Sequence, residues 1–365
     1  MTSTTEVAIL GGGLAGLHAA HLLHRARIGF HLFEARPRPG GRILTVDPAG
    51  QPAVGGHDLG PSWFWPAAQP AMARLVADLG LAALPQGIAG DLVFERSRGE
   101  APLRADGAAF DQGSMRVAGG MGALVAALLH GLPADRLHWG APVRALRLDG
   151  GGVWVTFTRP DGVEDRLLAA QVIAALPPRL LAAGIRLDPA PDRPLADRWR
   201  ATPTWMAPHS KFVAIFDRPF WRAARLSGMA QSLVGPLGEI HDATTAAGEA
   251  ALFGFVAVPA ASRAALGRQA LIAAAVDQLA RLFGPAAAAP RATLLKDWAA
   301  DDWTATPADA VPSGHPLPAR QPWVTGPWAD RLTLAGSESS PTDPGYLAGA
   351  VEASSRAVTG LRGRV

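Results

Sequence analysis

Cysteine is absent from this chain of 365 residues. Without cysteine there can be no disulfide framework, no thiolate metal site, no cysteine nucleophile and no thioether link to a cofactor. A chain without disulfides is compatible with a reducing compartment, and we therefore expect a cytoplasmic protein.

Long apolar runs and a large charge excess are missing as well. No stretch of about 18 apolar residues is free of charge and proline, so the sequence predicts no membrane span. Residues 1–5 also lack the positive charge of a secretory signal. The 34 Lys+Arg residues against 31 Asp+Glu leave a net charge of only +3, and no basic run is interleaved with aromatic residues, so we expect no nucleic-acid partner. None of the ten histidines stands in a metal-binding spacing, so no metal site is predicted.

The composition that remains is that of a globular protein. Apolar residues make up 48% of the chain and charged residues 18%, a balance that a large core absorbs and a solvated tail does not sustain. The length is two to three times that of a usual domain of about 100–150 residues. We therefore expect one extended α/β body or two interwoven domains.

The N-terminus has the pattern strand, glycine loop, helix, strand. Residues 7–10 are apolar, residues 11–16 fit G-x-G-x-x-G, residues 17–25 have a helical pattern, and Glu34 ends the next extended stretch, 18 residues after Gly16. In this arrangement a pyrophosphate lies at the helix N-terminus and the acid accepts hydrogen bonds from ribose hydroxyls. The sequence therefore predicts a doubly wound sheet with a dinucleotide site, and an acid at the ribose disfavours NADP.

Later segments suggest that the chain leaves this domain and returns to it. Residues 142–176 predict a β-meander, residues 263–283 a long helix, and residues 332–335 and 346–359 a strand and a helix like those of the N-terminus. We therefore predict a discontinuous dinucleotide-binding domain of residues 1–82, 113–185 and 330–365 and a substrate domain of residues 83–112 and 186–329.

The segment after Glu34 resembles the flavin amine oxidase family, which includes monoamine and polyamine oxidases and, more distantly, protoporphyrinogen oxidase and carotenoid desaturases. Residues 36–42 (Arg-Pro-Arg-Pro-Gly-Gly-Arg) follow the acid directly, and the family places an arginine of this stretch at the pyrophosphate. Residues 58–63, 116–121, 336–338 and 345–353 resemble later family motifs in the same order. The resemblance implies an α/β fold with a Rossmann-type FAD-binding domain and an interwoven mixed α+β substrate domain, the architecture of p-hydroxybenzoate hydroxylase and monoamine oxidase.

The resemblance also implies FAD as the cofactor, and the absence of cysteine implies that it is bound noncovalently. Val143 corresponds to the adenine end, and the helix after Gly345 faces the flavin pyrimidine, where its dipole stabilises negative charge that develops on reduction. The cofactor-binding residues implied in this way are Gly11, Gly13, Leu14, Ala15, Gly16, Glu34, Ala35, Arg36, Gly41, Arg42, Gly60, Pro61, Ser62, Val143, Trp298, Gly336, Ser337, Glu338, Gly345, Tyr346 and Leu347.

Two catalytic residues are implied, Lys211 and Tyr346. In the family, a lysine in the context of Lys211 is held through a water to flavin N5 and takes part in the reaction with oxygen. The alternative, without the resemblance, is a lysine at a strand end whose ammonium group extends into solvent. Tyr346 is the sole tyrosine and matches one wall of the family's aromatic cage. The tyrosine of the other wall is missing from residues 303–309. We predict Trp63, Trp303 and Tyr346 as substrate residues, with Trp298 as a further candidate for the missing wall.

The function implied is oxidation of an aromatic or alkyl primary or secondary amine to an imine. Hydride passes to flavin N5, and molecular oxygen is reduced to hydrogen peroxide, so a small-molecule amine and oxygen are the expected partners. Two alternatives remain open: a flavin dehydrogenase or desaturase with another electron acceptor, and a catalytically idle FAD-binding protein. The segment before Arg116 is shorter than in monoamine oxidases, which implies a pruned substrate domain, and the sequence predicts no oligomeric state.

Overall fold

A computed structural model describes residues 4–107, 113–311 and 314–362. The strands are β1 (Thr4–Leu10), β2 (Phe30–Glu34), β3 (Thr45–Val46), β4 (His57–Asp58), β5 (Ala83–Pro85), β6 (Asp91–Glu95), β7 (Leu103–Asp106), β8 (Met115–Val117), β9 (Leu137–Trp139), β10 (Val143–Asp149), β11 (Gly152–Thr158), β12 (Glu164–Ala174), β13 (Arg186–Asp188), β14 (Ser210–Phe216), β15 (Leu226–Ser232), β16 (Leu237–Asp242), β17 (Ala250–Val256), β18 (Ala292–Asp297) and β19 (Leu332–Leu334). The helices are α1 (Leu14–Arg25), α2 (Pro70–Asp78), α3 (Met121–Leu129), α4 (Pro178–Gly184), α5 (Arg193–Ala201), α6 (Phe220–Ala223), α7 (Ala260–Leu266), α8 (Arg268–Phe283) and α9 (Leu347–Arg362).

The first sheet is the predicted dinucleotide-binding sheet. Its strands lie in the order β13-β10-β11-β12-β1-β2-β9, and β19 pairs with β12. The pairs β1 with β2, β1 with β12 and β12 with β19 are parallel, whereas β10, β11 and β12 form the predicted antiparallel meander. Buried apolar residues of β1, β2 and β12, such as Ile9, Leu32 and Ile173, pack against α1 and α9. The Rossmann-type α/β fold is therefore confirmed.

The second sheet has the order β18-β14-β17-β16-β15-β6-β7 and draws its strands from two separate parts of the chain. Strand β14 is buried along its whole length, and the alternation of side chains gives its two faces different neighbours. Phe212 and Ala214 pack with α8, whereas Val213 and Ile215 pack with Leu59 in the loop after β4. Because Lys211 shares the face of Val213, β14 directs it toward the loop after β4.

Some element bounds differ from the sequence-based prediction. The helix predicted over residues 263–283 is divided into α7 and α8, because Gly267 between them adopts a φ of +82°, which ends the first helix. Strand β13 pairs with β10 in the first sheet, although the sequence places residues 186–329 in the second domain. None of the helices in the described part of the chain combines the length and the apolar character that a membrane crossing requires.

A buried histidine joins the two helices that pack on the first sheet. Nδ1 of His18 on α1 lies 2.8 Å from the hydroxyl of Ser354 on α9, and burial lowers the pKa of His18 from 6.5 to about 4. Between these two values the unfolded chain binds a proton that the folded chain does not. We expect the free energy of unfolding to fall as the pH drops from 6.5 to 4, by about 3 kcal/mol from His18 alone.

Urea unfolding in excess FAD at a series of pH values measures this dependence. His18→Asn keeps a donor near Ser354 but has no proton to bind, so its unfolding free energy should change less over the same interval. An identical pH dependence in the two proteins would show that His18 is not the titrating group.

Candidate active site

A cavity of about 830 Å³ is lined by residues from both sheets. It begins at the carboxyl ends of β1 and β2 and reaches β14 and β16 of the second sheet. The structure brings all the residues predicted to bind the cofactor to its wall except Gly16 and Glu338, which contact lining residues from behind. Lys211, Trp63 and Trp303 also line the cavity.

The loop between β1 and α1 presents backbone to the cavity. Gly13 precedes α1 without a side-chain cap, and a Cβ atom placed there would find no atom closer than 3.9 Å. Gly16 is required for packing, because a Cβ atom there would lie 1.8 Å from the carbonyl oxygen of Gly11. The first N–H groups of α1 are left open toward the cavity, where they and the helix dipole favour an anionic group such as a pyrophosphate.

The carboxylate of Glu34 closes the same end of the cavity. One of its oxygens accepts the N–H of Gly12 at 2.7 Å, and the other accepts the N–H of Arg36 at 2.8 Å. The side chain of Arg36 donates to Asp301 at 2.5 Å and to Thr304 at 2.7 Å. These bonds hold Glu34 in one orientation and leave each carboxylate oxygen a lone pair for a ribose hydroxyl.

An ion pair lies at the middle of the cavity. Nη1 of Arg42 donates to Oε1 of Glu338 at 2.8 Å, and Nη2 donates to the hydroxyl of Ser337 at 3.2 Å. The side chain of Glu338 is fully buried, whereas that of Arg42 is 29% exposed. Glu338 therefore holds the guanidinium from behind while its other side faces the cavity, as a pyrophosphate-binding arginine requires.

Lys211 reaches the far end of the cavity from β14. Its Nζ donates to the hydroxyl of Ser62 at 2.6 Å and to the carbonyl of Gly60 at 3.0 Å. It also lies 4.0 Å from the ring centroid of Phe253. Burial lowers the pKa of Lys211 from 10.5 to about 7, the negative charge of Asp58 opposes this shift, and the positive charge of Arg116 adds to it. The amine of Lys211 is thus buried, and the alternative of a strand-end lysine whose ammonium group extends into solvent does not describe it.

Aromatic rings surround the end of the cavity near Lys211. Tyr346 stacks on His315 with 4.4 Å between ring centroids, and His315 stacks in turn on Trp205 at 3.5 Å. Trp65 meets the ring of Tyr346 edge-on at 6.3 Å and lies 6.4 Å from Trp63. This part of the cavity suits an apolar, ring-shaped or alkyl group.

The remaining predicted tryptophans lie elsewhere on the wall. Nε1 of Trp298 donates to the carbonyl of Leu59 at 3.0 Å, which places Trp298 beside the loop that holds Lys211. Trp303 lies under the guanidinium of Arg144 at 5.7 Å, next to Val143, and is 41% exposed. The structure therefore places Trp303 beside Arg144, which follows Val143 at the end predicted to hold adenine.

The residues present fit FAD. One end offers an open helix N-terminus and a fixed carboxylate for the dinucleotide, Arg42 faces the middle, and the other end is aromatic. The N-terminus of α9 also meets the cavity there, since Gly345 and Leu347 line it. The positive end of its dipole would stabilise negative charge on a flavin pyrimidine ring.

A family model described as flavin containing amine oxidoreductase matches residues 85–361, which is most of the chain. The chain belongs to this family. A model described as an NAD(P)-binding Rossmann-like domain matches residues 9–79. This flavin amine oxidoreductase is therefore an enzyme whose cofactor is noncovalent FAD, and both the predicted family and the predicted cofactor are confirmed.

The amine oxidoreductase is similar to one named relative along nearly its whole length and to another over a shorter segment. A Mycobacterium tuberculosis protein named as a flavin-containing monoamine oxidase, AofH, is 27% identical over 456 aligned positions that cover 97% of this chain and 96% of the relative. The alignment is longer than this chain (456 positions against 365 residues), so the relative has segments that this chain lacks. Amine oxidase [flavin-containing] B of Sus scrofa is 41% identical over 81 residues, which are 22% of this chain and 15% of the relative.

Solved structures of other amine oxidases share its fold. Putrescine oxidase bound to putrescine superposes with a TM-score of 0.81 and 21% identity, covering 100% of both chains. Cyclohexylamine oxidase from Brevibacterium oxydans has a TM-score of 0.80 and 21% identity, covering 99% of both chains. At these identities the likeness establishes the architecture.

Sequence reasoning missed several residues of the aromatic end. Trp65 could have been found, because Trp63 and Trp65 alternate around the buried Phe64 and so share a side of the chain. Trp205 and His315 belong to irregular segments rich in proline, and no motif marks them. Glu239 lies on β16 and lines the cavity near Trp63, but nothing in its local sequence distinguishes it from a solvated acid on a strand.

Proposed function

We propose that this enzyme oxidises small aromatic or alkyl primary or secondary amines to imines and passes the electrons to molecular oxygen. The observation that carries the proposal is the buried Lys211, held by Ser62 and Gly60 at the same end of the cavity as Tyr346. When bound there, FAD supplies the acceptor for the hydride that leaves the carbon next to the amine nitrogen, and oxygen then takes two electrons and two protons to become hydrogen peroxide.

The aromatic residues orient the amine and exclude water. One face of the Tyr346 ring stacks on His315, and the other face is available to a substrate. Trp65, edge-on to Tyr346, limits the sideways movement of that substrate. Only a neutral amine has the lone pair that forms the C=N bond as hydride leaves, so we expect kcat/KM to rise with pH as free ammonium loses its proton.

An amino acid is a poor fit for this cavity. The arginines that line its described part are Arg36 and Arg42, and they are paired with Asp301 and Glu338. The exposed side of Arg42 is the one proposed for the pyrophosphate of FAD, so a substrate carboxylate would find no free guanidinium and its charge would be desolvated without compensation.

A short diamine is the second candidate, because Glu239 lines the cavity. The side chain of Glu239 is 49% exposed, and it accepts a hydrogen bond from Nε2 of His241 at 2.6 Å. This bond lowers the pKa of the Glu239 carboxyl and keeps it charged. A carboxylate at this place would bind the second ammonium of a diamine, the class to which the substrate of the similar putrescine oxidase belongs.

Turnover with a panel of amines separates these possibilities. Benzylamine, cyclohexylamine, a linear alkylamine and putrescine would be tested for anaerobic bleaching of the flavin and for peroxide in air, across a pH series. Bleaching without peroxide would indicate a dehydrogenase, and no bleaching by any amine would indicate an idle FAD-binding protein. Glu239→Gln should lose activity with putrescine selectively if the diamine is the substrate.

The ring of Tyr346, and not its hydroxyl, is expected to matter. No described side chain hydrogen-bonds to this hydroxyl, whereas the ring contacts His315 and Trp65. We expect Tyr346→Phe to retain activity and Tyr346→Ala to lose about tenfold in kcat/KM, which corresponds to one positioning contact of about 1.4 kcal/mol. Steady-state kinetics with the best amine of the panel measures both, and full activity of Tyr346→Ala would contradict the cage assignment.

A further inference from the structure

A second, much smaller cavity lies behind the residue that binds Lys211. Its volume is about 30 Å³, and Ser62 lines both this cavity and the large one. Exposed residues, Gly55 and Ala246, lie on its wall together with the buried His57. We name it the rear cavity; its wall extends from Ser62 to residues that are exposed at the protein surface.

Two polar atoms on the wall of the rear cavity have no hydrogen-bond partner among the described residues. They are Nδ1 of His57 and Nε of Arg116, both buried. Burial lowers the pKa of His57, so the ring is neutral and carries one proton. Nε2 of His57 lies 2.9 Å from the carboxylate of Glu249, an acceptor, so that proton is on Nε2. Nδ1 is then a lone pair without a donor, and the Nε–H of Arg116 is a donor without an acceptor.

A water molecule satisfies both atoms at once. Leaving a buried donor or acceptor unpaired costs about 1–3 kcal/mol each, and a volume of about 15 Å³ is enough for one water in a polar cavity. A water in the rear cavity can accept from Arg116 and donate to His57, and there is room for a second one next to Ser62. The shape and the chemistry of this cavity therefore match water.

We propose that the rear cavity holds water that carries protons between Lys211 and solvent, by way of Ser62 and the pair His57 and Glu249. The ammonium of Lys211 gives a proton to the Ser62 hydroxyl as that hydroxyl passes its own proton to the water. The water gives a proton to Nδ1 of His57, and the Nε2 proton leaves to Oε2 of Glu249, whose side chain is 29% exposed and whose other oxygen, Oε1, pairs with Arg291. The reverse sequence reprotonates Lys211, so no atom or charge is gained or lost.

The charges around the rear cavity support proton exchange at Lys211. Asp58 lines it, and Oδ1 of Asp58 accepts from the hydroxyl of Thr45 at 2.5 Å and from the N–H of Met121 at 2.9 Å. Lys211 faces the opposed charges of Asp58 and Arg116, which raise and lower its pKa. Burial lowers the pKa of His57, whereas Glu249, the backbone of Ala243 on the wall of the rear cavity and the charge of Asp58 raise it.

The charges that act on Arg116 complete this set. Asp242 and Asp58 raise the pKa of Arg116, whereas burial and Arg222 lower it. A balanced set of charges keeps Lys211 able to gain and to lose a proton without a large change in energy.

The inference rests on the role proposed for Lys211, but its test needs no substrate. Lys211 and Lys296 are the two lysines of the chain, so ¹⁵N-lysine labelling of the FAD-bound protein gives two side-chain NMR signals. His57→Leu should slow exchange of the Lys211 Nζ protons with water at least about tenfold, the scale of losing one acid–base group. The Lys296 signal is an internal reference and should not change.

Two further variants keep the test valid if His57→Leu fails to fold. Val213→Ile adds a methyl group to the wall of the rear cavity without removing a polar group and should also slow exchange. Asp58→Asn should lower the pKa of Lys211 by about one unit. His138→Leu is the matched control, because His138 is a half-buried histidine bonded to His31 at the far edge of the first sheet, and it should have no effect on Lys211.

Unchanged exchange at Lys211 in both His57→Leu and Val213→Ile would overturn the proposal, as would a high-resolution crystal structure with no water in the rear cavity. These results are independent of the amine panel. If exchange slows while no amine is oxidised, the proton path stands and the proposed function fails. If amines are oxidised while proton exchange at Lys211 is unaffected, the proposed function stands and the proton path fails.

Discussion

Lys211→Met is expected to slow reoxidation of the reduced enzyme by oxygen about 10²–10³-fold, the scale of removing one preorganised charge or donor from an active site. Anaerobic reduction by the amine should change much less. The physical reason is that Nζ of Lys211 is bound to Ser62 at 2.6 Å and to Gly60 at 3.0 Å, whereas the rings proposed to orient the amine are those packed around Tyr346. A group with a pKa of about 7 can supply positive charge or a proton where oxygen gains negative charge.

Stopped-flow absorbance of the flavin measures the two half-reactions separately. Lys296→Met removes the same charge at the other lysine, which is bonded to Asp301 at 2.7 Å, and it should have no selective effect on the oxygen step. If Lys211→Met reoxidises at the normal rate, Lys211 has a structural role, and the assignment of oxygen as the electron acceptor loses its main local support.

Arg42→Met is expected to abolish FAD retention and to lower the free energy of unfolding by about 3–5 kcal/mol, the cost of leaving one partner of a buried ion pair alone. Arg42 neutralises the fully buried Glu338 on one side and is 29% exposed to the cavity on the other. The substitution therefore removes the guanidinium proposed for the pyrophosphate and leaves a buried carboxylate without its counter-charge.

The double substitution Arg42→Met with Glu338→Leu separates these two effects. Without the buried carboxylate, much of the lost stability should return, because an ion pair replaced by apolar groups of similar volume is often neutral. FAD binding should not return. Urea unfolding of the apoproteins and flavin fluorescence after gel filtration measure the two quantities, and recovery of FAD binding in the double variant would show that Arg42 does not hold the cofactor.

The nucleotide end of the site was accessible to sequence reasoning because its chemistry depends on local backbone. Gly16 and Glu34 belong to one strand–loop–helix–strand unit, and the positions of its glycines and its acid follow from the turn and from the helix N-terminus. The C-terminal segment that rejoins the first sheet was equally accessible, since Gly345 and the helix after it again place a glycine directly before a helix N-terminus. The predicted domain boundary after residue 185 leaves β13 out of the first sheet. Sequence reasoning missed this strand because its three residues pair with β10, which is distant in the sequence.

The aromatic end depended on contacts between distant parts of the chain. Trp205 and His315 come together with Tyr346 only when an irregular segment after α5 and a proline-rich segment before β19 meet at the N-terminus of α9. Trp303, predicted as a substrate residue, lines the cavity beside Arg144, a neighbour that its own sequence segment does not indicate. Side-chain neighbours of this kind have no period and no spacing that a sequence pattern could reveal.

By itself, the sequence of this protein determined the α/β fold, the dinucleotide loop, the family and the noncovalent FAD, because each depends on residues close together in the chain or on the absence of a residue type. Only the tertiary structure decided that Lys211 is buried with a pKa near 7, that Glu239 lines the cavity, and that a small polar cavity lies behind Ser62. These properties arise where β14 and β16 of the second sheet pack against the loop after β4. Burial, charge balance and enclosed volume are set by the groups that surround a residue, and those groups come from distant parts of the chain.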